Sequence, residues 1–292
     1  MYVATLLTNP GAPTLELSLV ESLRNAWGGG EIVWLGSDEA AEFSLQEAPG
    51  NLWNVWAELQ GMDVDLIVQP VEARRKKMLL ADMDSTMIQQ ECIDELADEA
   101  GVGARVKDIT ARAMNGELDF EGALVERVGL LKGLDEGVIS KVLNERIKLM
   151  PGGRKLLNTM RSNGAYAVLV SGGFTAFTER VAEMLGFDEN RANTLLAERG
   201  KLTGDVKRPI LGRQAKIEAL ESVTNRLGIS EADVIAVGDG ANDLGMLGRA
   251  GTGVALHAKP SVAEKCSIRV NHGDLTALLY IQGYSRSEFA VA

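Results

Sequence analysis

Three short apolar runs, Met78–Ala81, Ala165–Val170 and Val234–Val237, each stop at small, polar or acidic residues before the chain turns to helical spacing. Apolar runs of this length suit strands covered on both faces, and strands alternating with helices are joined in parallel by crossovers. The pattern predicts an α/β protein with a doubly wound, Rossmann-like parallel sheet. From about Ile88 to Met150 there is no strand signal and helical spacing repeats, so a helical cap inserted over the sheet is expected. Asn193–Val206, around Arg199-Gly200-Lys201, reads as a hairpin. No internal repeat or low-complexity segment is present.

The front of the chain follows another rule. Tyr2–Leu7, Glu31–Leu35, Ala41–Leu45 and Val64–Val71 read as strands, and Glu16–Trp27 and Leu52–Leu59 as helices. The order β-α-β-β-α-β predicts a small ferredoxin-like α+β unit. We place it at residues 1–74 and the larger unit at 75–292, with the cap at about 88–150. The basic run Arg74-Arg75-Lys76-Lys77 reads as a solvated linker.

Charge and composition remove several function classes. The 292 residues carry 41 acidic and 30 basic side chains, a net charge of −11. Such a surface argues against nucleic acid as a partner. No apolar run approaches the roughly 20 residues of a membrane span. Met1–Leu7 lacks the basic start of a secretory signal, and a cytoplasmic location is expected. Cys92 and Cys266 are too few for a disulfide framework or a four-cysteine zinc site.

In open α/β sheets the ligand sits outside the carboxyl ends of the strands. After the first run stand Asp82-Met83-Asp84-Ser85-Thr86, after the second Ser171-Gly172-Gly173, and after the third Gly238-Asp239-Gly240-Ala241-Asn242-Asp243. Lys216 opens a further helix. Four carboxylates gathered on one edge repel one another, so they must hold a cation or keep protons. Oxygen ligands without histidine or thiolate favour a hard ion, Mg²⁺ before Ca²⁺, which usually shares its site with phosphate. An aspartate can accept a phosphoryl group while a second carboxyl moves protons. Ser171 and the amides near Gly172 and Gly173 can hold phosphate oxygens, and Lys216 adds positive charge. Each motif alone is ordinary: Asp-x-Asp is usually surface acid, Ser-Gly-Gly usually a turn. Gly238-x-Gly240 lacks the third glycine of a dinucleotide fingerprint, since Asp243 stands there. Their joint occurrence at strand ends carries the argument.

These four motifs resemble those of the haloacid-dehalogenase-like phosphatases, over about residues 78–280. The resemblance implies Asp82 as nucleophile and Asp84 as general acid and base. It implies Mg²⁺ held by the Asp82 carboxylate, the Asp84 backbone carbonyl and Asp239, with Asp243 supporting the metal's waters and Asn242 helping to hold phosphate. More narrowly, Gln90–Glu95, Met114–Phe120 and Arg127 are similar to the cap of the phosphoserine phosphatases. That match implies Glu91 facing the substrate ammonium, Arg127 its carboxylate, and Met114 and Phe120 closing the site against water. The expected activity is hydrolysis of phosphoserine, the last step of serine synthesis. The rival within the fold is a phosphatase or phosphotransferase for another small phosphomonoester. A non-catalytic sensor would lack the nucleophile, the acid or the lysine, and all are present. The first unit resembles ACT-like amino-acid-binding domains without a residue motif to carry over. Dimerisation, with a homodimer built through this unit, sensing of serine, and stability alone are the roles open to it. His257 reads as structural, with His272 far along the chain, and Cys92 as a small buried filler.

Overall fold

The computed structural model describes residues 1–114 and 117–291, without the side chains of Ala113 and Met114. The front unit runs β1 (Tyr2–Leu7), α1 (Leu17–Ala26), β2 (Ile32–Gly36), β3 (Ala40–Leu45), α2 (Leu52–Gln60) and β4 (Asp65–Pro70). Its strands lie in the order β2-β3-β1-β4, antiparallel throughout, the arrangement of a ferredoxin-like unit. In β1, Ala4 and Leu6 pack with Val20, Leu23 and Leu59 of the helices, while Leu7 faces the other way with Ala40 and Ile67. That second face lies against the C-terminal segment of the chain, so β1 is buried from Val3 to Leu7 and carries no polar alternation beyond Thr5.

The larger unit begins with β5 (Met78–Ala81) and then sends out the cap, α3 (Cys92–Glu99), α4 (Gly103–Met114), α5 (Phe120–Gly129) and α6 (Gly137–Glu145). Ile88 and Leu149 form an antiparallel bridge where the insertion leaves and returns. The chain continues through α7 (Gly153–Ser162), β6 (Tyr166–Phe174), α8 (Thr175–Leu185) and β7 (Glu189–Asn193). Next come the hairpin β8 (Leu195–Glu198) and β9 (Lys201–Val206), then α9 (Arg213–Leu227), β10 (Val234–Gly238), α10 (Leu244–Arg249), β11 (Thr252–Leu256), α11 (Pro260–Ala263), β12 (Ile268–Val270) and α12 (Ala277–Ile281). Arg199 and Gly200, both at positive φ, make the tight turn of that hairpin.

Six parallel strands lie in the order β12-β11-β10-β5-β6-β7. Alternate residues of β5 feed two cores, Leu79 and Ala81 on one face and Met78 and Leu80 on the other. This is why the run has no polar member. Winding proceeds outward from β5 through β6 to β7, then returns to β10 on the far side of β5. The reversal opens a crevice at the carboxyl ends of β5 and β10, where a ligand is expected.

The basic run is solvated in part, with Arg75 and Lys77 exposed as its charge suggests, but each of its side chains also finds a partner. Arg74 forms a two-pronged pair with Glu42 at 2.7 and 3.1 Å, and Arg75 meets Glu288 at 2.6 Å and lies over the Tyr284 ring. The Lys76 ammonium donates to the Ala232 carbonyl at 2.7 Å, and Lys77 pairs with Asp233 at 3.2 Å. The run bridges both sheets because acids distant in sequence are brought beside it.

Candidate active site

Asp82 leaves β5 with its N–H donating to the Val237 carbonyl of β10 at 3.0 Å, which locks the two strand ends together. Beneath it the fully buried Lys216, from the first turn of α9, places its ammonium 2.5 Å from Asp82 Oδ1 and 2.6 Å from Asp243 Oδ1. Asp243 Oδ2 accepts from the Gly240 N–H at 3.0 Å, and Asp239 Oδ1 accepts from Thr86 at 3.3 Å. Oxygens of Asp82, Asp239 and Asp243 all lie within 4.8 Å of one another. Three carboxylates against one ammonium leave about two negative charges in a buried site, which suits one divalent, oxygen-loving cation.

Electrostatics follow from that crowding. Burial, then the Asp243 charge, pushes Asp82 well above the usual carboxylate range, and Lys216 pulls it back. Burial and Asp243 raise Asp239 to about 6. Burial would lower Lys216, yet Asp243 and Asp82 more than offset this and hold the ammonium charged.

Asp84 stands apart from the three-carboxylate cluster. Its Oδ1 accepts from the Cys92 N–H at the start of α3 at 2.9 Å, and its Oδ2 from Ser171 at 3.2 Å. Ser171 Oγ in turn accepts from the Gly173 N–H at 2.8 Å. Burial raises the Asp84 carboxyl, and the bonds from Cys92 and Ser171 oppose that rise. Cys92 is buried, as a filler should be, but its backbone has this second use.

A cavity of about 690 Å³ opens over these groups, walled by the cap on one side. Glu91, Arg127 and Phe120 of the cap line it together with Asp82, Asp84, Ser171, Gly172, Gly173, Asp239 and Asn242. Glu91 Oε1 accepts from Ser85 at 2.7 Å, and burial beside Asp84 raises its carboxyl to about 7. Arg127 donates from Nε to its own helix at Ala123, which leaves both terminal nitrogens without a protein partner among the described residues. The Phe120 ring presses on backbone: a Cβ at Gly172 would come 2.9 Å from its Cζ, and one at Gly212 3.0 Å from Cδ1. A side chain at either glycine would push the Phe120 ring back, because the cap closes directly on the main chain. The Met114 side chain lies outside the described residues.

Four groups at the site escaped the sequence reading. Lys259 and Arg213 line the cavity, Ser85 positions Glu91 from a left-handed backbone (φ 55°), and Asn193 ties Gly172 to Leu211. Lys259 and Asn193 close or follow strands β11 and β7, so the strand-end rule applied to every strand would have flagged them. Arg213 precedes Lys216 by three residues, one helical turn.

Residues 79–248 match the haloacid dehalogenase-like hydrolase family. Phosphoserine phosphatase of Streptomyces coelicolor is 42% identical over 232 residues, covering 80% of this chain and 56% of its own. Phosphoserine phosphatase of Archaeoglobus fulgidus is 42% identical over 249 residues, covering 85% of this chain and 70% of its own. The chain thus spans just over half the length of the first relative and 70% of the second. A solved haloacid dehalogenase family hydrolase of Salmonella enterica serovar Typhi superposes with a TM-score of 0.87 at 29% identity, over 96% of this chain and 97% of that one, so its likeness includes the front sheet. Identity of 42% over most of this chain, together with the match of residues 79–248, reflects descent rather than shared winding alone, and this chain belongs to the haloacid dehalogenase-like hydrolases.

Proposed function

We propose that the chain hydrolyses O-phospho-L-serine to L-serine and phosphate through an aspartyl-phosphate on Asp82. The observation that carries this reading is the presence of Glu91 and the guanidinium end of Arg127, unpartnered among the described residues, in the same cavity as Asp82 and Asp84. A phosphoserine molecule offers a phosphate to the strand ends, an ammonium to Glu91 and a carboxylate to Arg127, whose planar fork suits it. The kinship with phosphoserine phosphatases supports the same assignment.

In the first step an Asp82 oxygen attacks phosphorus in line, the bond from phosphorus to the serine oxygen breaks, and protonated Asp84 gives its proton to that oxygen. In the second, Asp84 as carboxylate takes a proton from water, the water oxygen attacks phosphorus, and the bond to Asp82 breaks. Burial favours the protonated Asp84 that the first step needs. Ser171, the amides of Gly172 and Gly173, and Asn242 receive the equatorial phosphate oxygens, and Lys216 keeps Asp82 ionised and aligned. Asp82, Asp239 and Asp243, with the Asp84 backbone carbonyl, would hold a Mg²⁺, which when bound offsets charge on the transferring group. Phe120, resting on Gly172 and Gly212, keeps bulk water out until a substrate is seated.

Phosphate release from L-phosphoserine, with Mg²⁺ and with EDTA, beside phosphothreonine, glycerol phosphate and an aryl phosphate, tests the proposal. Metal-dependent preference for L-phosphoserine supports every role above. Metal-dependent release without preference would withdraw Glu91 and Arg127, and no release from any of them would overturn the reading.

A further inference from the structure

We propose that His257 is a positioning residue for Lys259, and that through it the front sheet steadies one wall of the cavity. Strand β11 ends at Leu256, and His257 then adopts a left-handed backbone (φ 46°) that a side chain with a Cβ rarely takes. Two bonds hold it there. Its N–H donates to the Val270 carbonyl at 2.8 Å, and its ring Nε2 lies 2.8 Å from the Gly273 carbonyl. A carbonyl only accepts, so Nε2 carries the hydrogen.

The Gly273 peptide is clamped from the other side by the front unit. The fully buried Asp65, first residue of β4, accepts from the N–H groups of Asn271 at 2.8 Å, His272 at 3.0 Å and Gly273 at 2.8 Å. His257 therefore grips a turn that the front sheet itself fixes. The left-handed residue redirects the chain over the cavity, where the Lys259 N–H meets the Asp239 carbonyl at 3.4 Å and its side chain joins the lining. The Lys259 charge acts on both Asp239 of the sheet and Glu91 of the cap. An ammonium on the cavity wall is placed to draw a substrate anion into a protein of net charge −11. This role rests on the phosphatase reading above.

The test is steady-state kinetics of the full chain with L-phosphoserine and Mg²⁺, beside thermal melting. Wild type is measured first: if it does not turn over phosphoserine, the phosphatase reading has failed, and the inference with it. If it does, Lys259→Met should raise KM about five- to tenfold, leave kcat within about twofold, and flatten the fall of kcat/KM with salt. His257→Ala should give the same KM-only pattern and add nothing in the Lys259→Met background. His257→Asn, which tolerates the left-handed region and keeps a donor, should recover part of the loss. Asp65→Asn should raise KM less, without adding to His257→Ala. If His257→Ala does not fold, His257→Gly relieves the strain, drops the ring bond and serves the same comparison. Additive losses in the double variant, or wild-type KM in either single variant of His257 or Lys259, would overturn the proposal.

Discussion

The buried aspartates at the ends of β5 and β10 and the buried Asp65 in the seam between the sheets are all largely removed from water, yet they are surrounded in different ways. Asp65 receives three backbone N–H groups, fixed dipoles that oppose the rise burial imposes on its carboxyl. Asp82 and Asp243 share the Lys216 ammonium with Asp239 close beside them, and the repulsion that remains is relieved by protons or an added cation. The first arrangement joins two parts of a fold. The second stores unfavourable charge that a metal and a phosphoryl group can use.

The largest test of this contrast is Asp82→Asn. It should lower turnover by at least about a thousandfold, because the proposed nucleophile is gone, while the melting temperature holds or rises as one repelling charge is removed. A clear loss of stability in that variant would mean that Asp82 serves the fold as Asp65 does. Arg127→Ala should weaken kcat/KM for phosphoserine by about 2–5 kcal/mol if the pair with the substrate carboxylate is desolvated. An equal loss on an aryl phosphate would make Arg127 structural. In the seam, Asp65→Ala strands three buried donors, and about 1–3 kcal/mol of stability should be lost in denaturant unfolding. Little change there would show that water enters the seam.

Protons sharpen the comparison further. Glu91, normally near 4.5, is raised to about 7, and Asp239, normally near 3.8, to about 6. Between those limits the folded state binds more protons than the unfolded one. The stability these two groups contribute is present at low pH and is lost as pH rises toward 6 and 7. Metal-free protein should therefore melt lower at pH 7.5 than at pH 5. Mg²⁺ needs the ionised carboxylates, so its stabilising shift should grow over the same interval, as differential scanning fluorimetry would read. A Mg²⁺ shift independent of pH would remove Asp239 from the metal site. The acid limb of kcat/KM should lie at or below about 7, with the bound cation pulling it down, and should move in Glu91→Gln.

Much of this was legible in the chain. Tyr2–Leu7 is a strand with the bounds its apolar run predicts, and the front unit has the expected order of elements. Asp82 and Asp239 stand at strand ends because an apolar run with no polar member must stop where the sheet's cover stops, whereas β6 runs past the predicted end at Val170 to Phe174 and carries Ser171 within it, where the register with β7 breaks. Helix α9 brings Lys216 beneath Asp82 from 134 positions away, and a lysine at a helix start has no local mark of burial. The ion pairs of the basic run Arg74–Lys77 were not legible for the same reason: its partners Glu42, Asp233 and Glu288 are remote, so composition reads only its solvated side.

The sequence by itself determined the two kinds of sheet, the cap as a helical insertion, and which acids gather at the crevice, since periodicity and strand ends are local properties. Tertiary structure alone decided that Lys216 bridges Asp82 and Asp243, that Phe120 closes on Gly172, and that Asp65 holds the turn carrying Gly273. Each of these joins groups whose pairing depends on desolvation and distance in space, and neither is written in the neighbouring residues.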